Sequence, residues 1–457
     1  MWYTLLLSCG GTAKLGSSHG AETGHSDRDE TPTPPGITPT GGTLPVFLGD
    51  RPKNVLMISV DTFRRDHLDR YGDLGLTPFI DSVMNESLVL DDHVQCSNWT
   101  FPGTTCVQLG RLHTDTGFLP SLRLAYQAPM PNMPTLASWL TDAGFYTVAI
   151  STNGWYSPQW NSTQGFSVVE VFTTNAEAEI KHGADIIDNA IAEGKADNWF
   201  LHVHLIEPHP AYNPPESYLG GLETLDPIPW DLSDFDTHYD ASNSWPLLSA
   251  EEQELLLAHL TVRYQGEIRY FDDQLSRAWA DLDARGLLDD TLVVLWNDHG
   301  EAFWEHGHQT HAWTLHSQEN GAWAAFWAKN IGAAGWPGPT HGIDIAPTVL
   351  AALGRPMPPE ITGIPVGLAD PARDRHIFTW ARLGLESAII RSGWKLHFDW
   401  VGARELYDLT ADPDELNDLY SPTDPVMMAL WPALEAEVIR MMPFTQGVEP
   451  VWPSDAP

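Results

Sequence analysis

The chain has 457 residues, more than one small core requires, so one large domain with an appendage or two domains is expected. With 61 acidic against 24 basic residues its formal net charge is -37, which argues against nucleic acid as a partner, because phosphate binding needs a basic footprint. No apolar run reaches the roughly 18 residues a spanning helix needs, so no transmembrane helix is expected.

The first residues end in Leu6-Leu7-Ser8-Cys9, a pattern similar to the lipobox of bacterial lipoproteins, although the apolar run before it is short and lacks a basic flank. The expectation is an exported chain, in the cell envelope or beyond it, with a membrane tether through a lipidated Cys9. Residues 12–44, rich in Gly, Ser, Thr and Pro, read as a disordered linker. That leaves Cys96 and Cys106, either a disulfide in an oxidising compartment or two free buried thiols.

Asn54-Val55-Leu56-Met57-Ile58-Ser59-Val60 is a continuous apolar run, the pattern of a central parallel strand covered on both faces. It ends in Asp61-Thr62, where an open α/β sheet presents groups to a ligand, or where an Asp simply caps a helix. A helix is predicted over 77–88. The stretch 97–111 reads as a loop entering a helix, with Thr100 of N-cap type, Pro102 suited to the first turn and Gly110 to the end. A helix over 134–143 and a strand over 145–150 follow, the strand leading to Asn153. A helix is predicted over 176–193, then a strand over 200–206 that alternates His with apolar residues and leads to Glu207-Pro208-His209. Residues 211–249 read as a surface insertion, and 251–285 as one or two helices. The buried run 291–296 ends in Asn297-Asp298-His299-Gly300-Glu301. A strand near 322–328, a helix from about 345, strand-like segments over 376–407 and a final helix over 425–441 complete the chain. The expected fold is α/β: a large central mixed, mostly parallel sheet with helices on both faces, plus a small C-terminal α+β subdomain. The expected division is a linker over 1–44, a catalytic domain over 51–375 and the subdomain over 376–457.

A divalent cation takes carboxylate and imidazole ligands, and a catalytic one keeps a position open. Asp61, Asp298 and His299, delivered by strand ends, form such a set, with Thr100 as a further oxygen. Coordination would lower the pKa of the Thr100 hydroxyl and make it a nucleophile. One divalent ion, Mn, Zn or Ca, is expected there. His209 and His311 are candidates to protonate a leaving group, and Asn153 and His308 to bind a small anionic ester substrate. A non-catalytic binding protein on the same fold is the competing class.

These residues resemble the sulfatase family, within the alkaline-phosphatase-like superfamily, over most of the chain. The first strand with Asp61 looks like the family's opening motif. Thr100 through Arg111 is similar to its nucleophile signature, and Glu207-Pro208-His209 to its D-P-H element. Asp298-His299-Gly300-Glu301 with Glu305-His306-Gly307 is similar to the DHGE…GEHG motif. Asp344-Ile345-Ala346-Pro347-Thr348 and the stretch from Glu405 to Leu419 look like its later segments. The resemblance implies a metal-dependent hydrolase of sulfate, phosphate or phosphonate esters. It also exposes departures. Sulfatases carry a Cys or Ser that becomes formylglycine, and an Arg four positions on; Thr100 and Thr104 stand there, and Thr cannot be so converted. Asp298-His299, in place of Asp-Asn, is the pattern of phosphonate and phosphodiester hydrolases of the superfamily. Attack by unmodified Thr100 on phosphorus is therefore expected, with sulfate ester cleavage as the alternative.

Overall fold

The computed structural model describes residues 45–123, 127–171 and 174–453. The lipobox-like segment and the linker expected over 1–44 lie outside the described residues.

Six strands come first: β1 (Asn54–Val60), β2 (Leu88–Val94), β3 (Tyr146–Ser151), β4 (Val168–Val171), β5 (Trp199–Leu205) and β6 (Thr291–Asn297). A short ribbon of β7 (Ala302–Phe303) and β8 (Gln309–Thr310) follows, then β9 (Gly321–Ala322), β10 (Ala324–Trp327) and β11 (Ala334–His341). Among the described residues the central sheet has nine strands, in the order β11-β2-β10-β6-β1-β5-β3-β4, with β9 also on β2. From β6 to β4 every neighbour is parallel; β10 runs antiparallel to both β6 and β2, and β11 is parallel to β2.

Side chains on a strand alternate between faces. On β1, Leu56, Ile58 and Val60 enter one apolar cluster, and Val55 and Met57 the other. The helices Pro78–Asn85, Ala176–Ala192 and Ala250–Ala284 cover the first face. Thr100–Leu109, Leu136–Asp142 and Ile345–Ala352 cover the second. Burial on both faces is why the β1 and β6 sequences are apolar throughout rather than alternating.

The C-terminal part is an antiparallel sheet of β12 (Arg375–Trp380), β13 (Leu385–Arg391), β14 (Trp394–Asp399) and β15 (Arg404–Asp408), covered by the helix Pro425–Met441. Asp424 caps that helix by accepting from the Val426 and Met427 amides.

Two expectations need correction, and one left open is decided. The helix predicted over 77–88 stops at Asn85, because Leu88 already belongs to β2, a strand not foreseen. The stretch 211–249 is not merely a surface insertion: it carries the helix Phe235–Ser244 and sends Tyr212, Leu232 and Ala241 into the core of the first face. The stretch 251–285 is one helix, Ala250–Ala284. Gly266 within it makes room for the 211–249 segment: a Cβ there would stand 2.9 Å from Pro214 Cγ and 3.0 Å from Tyr218 O. Among the described residues no helix is long and apolar enough to cross a membrane.

Candidate active site

The site follows from strand register. Val60 of β1 pairs with Leu205 of β5 and Asn297 of β6, so the next residues, Asp61 and Asp298, leave the sheet side by side. Backbone bonds continue the ladder past the strands: the Asp61 amide donates to Leu205 O (3.0 Å) and the Asp298 amide to Val60 O (3.2 Å). On the face under the helix Thr100–Leu109 the apolar pattern is broken by Ser59, His202 and His204. Ser59 Oγ lies 2.9 Å from His202 Nε2 and 2.8 Å from His204 Nδ1, and His202 Nδ1 meets Tyr156 Oη (2.7 Å) and Gln108 Nε2 (3.0 Å). This buried chain orients His204 so that its Nε2 faces Asp61 Oδ2 at 3.6 Å and Asp298 Oδ2 at 3.9 Å.

Thr100 is not the cap it was expected to be. Trp99 takes the extended N-cap conformation without a side-chain cap bond, and Thr100 is the first helical residue. The Trp99 ring is held against Trp155, with centroids 5.5 Å apart. The Thr100 hydroxyl is thereby released from capping. Its Oγ1 accepts from Asn153 Nδ2 (3.1 Å) and stands 3.5 Å from both Asp61 Oδ2 and His299 Nε2. The helix start also presses close to β6: a Cβ on Gly103 would lie 2.5 Å from Asp298 O. Cys96 and Cys106, left open from sequence, form a disulfide that closes the loop carrying Thr100.

Asp61, Asp298, His204 and His299 are all fully buried. Asp61 Oδ1, both Asp298 carboxylate oxygens and His204 Nε2 have no hydrogen-bond partner. Leaving such atoms dry costs free energy unless something charged completes them. A divalent cation fits this donor set of carboxylate oxygen and imidazole nitrogen. Burial alone would raise the Asp61 carboxyl, but the charge of His209 and the facing imidazoles of His204 and His299, 3.6 Å from Oδ2 and 3.3 Å from Oδ1, hold it well below its ordinary value. Burial and the neighbouring Asp61 charge raise Asp298. His299, despite burial, is raised to about 10 by Asp298 and Asp61. Thr62 follows Asp61 with φ of 55°, a left-handed conformation rare for a β-branched residue, and its hydroxyl is also buried without a partner.

The remaining candidates divide. Asn153 donates to Asp61 Oδ2 at 2.6 Å as well as to Thr100 Oγ1, so it joins the two side chains. The His311 ring lies 4.5 Å from that of His299 and 5.1 Å from that of His209, centroid to centroid. Burial and the charges of His299 and His209 keep His311 well below its ordinary value, and burial lowers His209. Glu301, itself pushed well up by burial, pairs with His311 Nδ1 (3.1 Å) and Tyr212 Oη (3.2 Å). His308 stacks on Trp313 instead, with centroids 4.6 Å apart, and no described contact joins it to Asp61 or Thr100. Two members, His204 and Glu301, were not picked out as site residues. The signal for His204 was there: an imidazole inside a strand buried on both faces must have a polar partner.

A helix-borne hydroxyl thus stands above an acid and imidazole cluster at the strand ends of a mixed α/β sheet. The sulfatase family's sequence model matches residues 53–355, and the chain belongs to that family. It is similar to the choline-sulfatase of Rhizobium meliloti (strain 1021), 25% identical over 252 residues that cover 50% of this chain and 48% of that protein. The match thus spans about half the length of that curated relative. Similar folds include a structure solved in complex with its substrate D-glucosamine-2-N,6-O-disulfate (TM-score 0.66, 17% identity, covering 88% of this chain and 99% of that one). Another is the phosphonate monoester hydrolase of Silicibacter pomeroyi (TM-score 0.63, 17% identity, covering 86% and 96%).

Proposed function

We propose that the chain is a metal-dependent hydrolase of phosphodiester or phosphonate ester bonds with Thr100 as its nucleophile. The observation that carries this reading is the meeting of Thr100 Oγ1 with Asp61, His299 and Asn153, where two buried carboxylates have unpartnered oxygens. Asp61, Asp298, His299 and Thr100, joined by His204, would hold one divalent ion such as Mn, Zn or Ca. When bound, such an ion lowers a hydroxyl's pKa and draws charge from an ester oxygen.

The chain's own groups do the rest. Asn153 donates to Thr100 Oγ1, which leaves the hydroxyl proton facing the ionised Asp61 Oδ2, its acceptor as Oγ1 attacks. Oγ1 attacks phosphorus as the bond to the leaving oxygen breaks. An anionic ester lying against His209 and His311 raises both imidazoles, so one of them can protonate that oxygen. Water then hydrolyses the threonine phosphoester and restores Thr100. Glu301 positions His311 throughout.

A second reading is sulfate ester hydrolysis by the same hydroxyl. It is favoured by the likeness to a choline-sulfatase and to a fold solved with a disulfated glucosamine. Assays of purified protein on aryl phosphodiester, phosphonate and sulfate, each with Mn, Zn or Ca and beside Thr100→Ala, decide between them. Phosphodiester or phosphonate turnover that vanishes in the variant supports the first reading, and dominant sulfate turnover the second. We also propose export with a lipid tether at Cys9. The Cys96–Cys106 disulfide supports export, because such bonds persist in oxidising compartments.

A further inference from the structure

Between the segment after β8 and the C-terminal sheet lies a second cluster of metal-ligating side chains, separate from the residues assigned above. His316 comes from the helix-capping position before Ser317; His397 and Glu405 are cross-strand partners on β14 and β15. The two imidazoles are buried, and Glu405 is half-buried. His316 Nε2 lies 3.1 Å, and His397 Nδ1 3.4 Å, from the same oxygen, Glu405 Oε2. One ligand atom from each of the three lies within 4.8 Å of the others.

We propose that His316, His397 and Glu405 form a second metal site, for a divalent transition ion of the zinc class. Two features distinguish it from an ordinary ion pair. The nitrogens that point away from Glu405 are both held: His316 Nδ1 by Thr314 Oγ1 (2.8 Å) and His397 Nε2 by Glu386 Oε2 (3.0 Å). A carboxylate or hydroxyl behind an imidazole, fixing its orientation, is the outer-shell arrangement that metal-ligating histidines use. The three donors also line a cavity of ≈ 250 Å³, so a fourth coordination position is open to water or an anionic group. Two imidazoles and one carboxylate select zinc-like ions over Ca or Mg, which prefer all-oxygen shells. An ion there would tie the loop that follows His311 to the C-terminal sheet.

The test uses the full chain, stripped with chelator and titrated with Zn²⁺, beside Glu405→Gln and His316→Asn. Wild type binds one equivalent more than either variant. Asp298→Asn, which alters the other site, keeps this equivalent. Wild-type crystals soaked in Zn²⁺ show an anomalous peak at about 2.0–2.1 Å from His316 Nε2 and His397 Nδ1. Equal stoichiometry in wild type and both variants, together with no anomalous peak between these residues, overturns the proposal. Melting of the metal-free variants checks that they fold, and if they do not, the wild-type crystal decides alone.

Discussion

At the residue scale, the sheet buries charges whose cost only makes sense if they act together. Asp298 and His299 are both raised, so in the metal-free protein the cluster holds protons at neutral pH. A cation bound as proposed must expel them, and its affinity should therefore rise with pH as His299 is deprotonated, up to its value of about 10. Calorimetry in two buffers of different ionisation enthalpy reads this directly: release of about one proton or more per ion at pH 7 is expected. Proton uptake, or none exchanged, would show that the ion binds elsewhere. Asp61 was legible because it ends an unbroken apolar run, and Asp298-His299 for the same reason. His204 was less so, because its role depends on Ser59 lying opposite it across β1 and β5.

At the element scale, the helix Thr100–Leu109 is placed by a close approach and a covalent tie. Gly103→Ala would set a methyl 2.5 Å from the Asp298 carbonyl oxygen, so the helix must move. Overpacking of this kind costs about 1–3 kcal/mol. If Thr100 is the nucleophile proposed above, a shift of about 1 Å in its hydroxyl should cut kcat/KM about a hundredfold, measured by steady-state kinetics on folded variant. Unchanged kinetics would mean the site tolerates helix displacement. Reducing the Cys96–Cys106 bond, which spans 10 positions, should cost about 3 kcal/mol in denaturant melts by loss of the loop constraint. Strands β1, β5 and β6 and the helix Pro425–Met441 could be read from hydrophobic period and punctuation. Strand β2 could not, because Asp91 and Asp92 interrupt its apolar run; they are tied to Arg70 and Arg375. Nor could β11, whose Gly and Pro residues imitate a loop while it pairs in parallel with β2.

At the scale of the whole molecule, the C-terminal sheet buttresses the loop that bears Thr100. The Phe378 amide of β12 donates to Cys96 O (3.1 Å), and the Arg382 amide to Ala312 O (3.1 Å), one residue beyond His311. Lys395 of β14 is buried against Glu415, with Nζ 3.0 Å from each carboxylate oxygen, and also donates to Leu315 O. Burial would raise Glu415, but Lys395 and His316 hold it below its ordinary value. A depressed carboxyl contributes stability that is complete above its unfolded pKa and is lost as pH falls through the folded value. Glu415→Leu leaves the Lys395 charge without a counter-ion in the interior and should destabilise by about 3–5 kcal/mol at pH 7, whereas Lys395→Met with Glu415→Leu should recover much of this. Denaturant melts of the three variants measure it; additive losses would contradict the pairing. The acidic surface, by contrast, bears on solubility and the choice of partner, not on the fold.

The most direct measurement is mass spectrometry of quenched protein under turnover of an aryl phosphodiester, for wild type and Thr100→Ala. Phosphoryl-type mass on the peptide containing Thr100 is expected in wild type alone. The variant, which loses hydroxyl contacts worth about 1 kcal/mol, should remain folded while its kcat falls on the order of a thousandfold or more. Near-wild-type turnover by folded Thr100→Ala would contradict the assignment of Thr100 as the nucleophile.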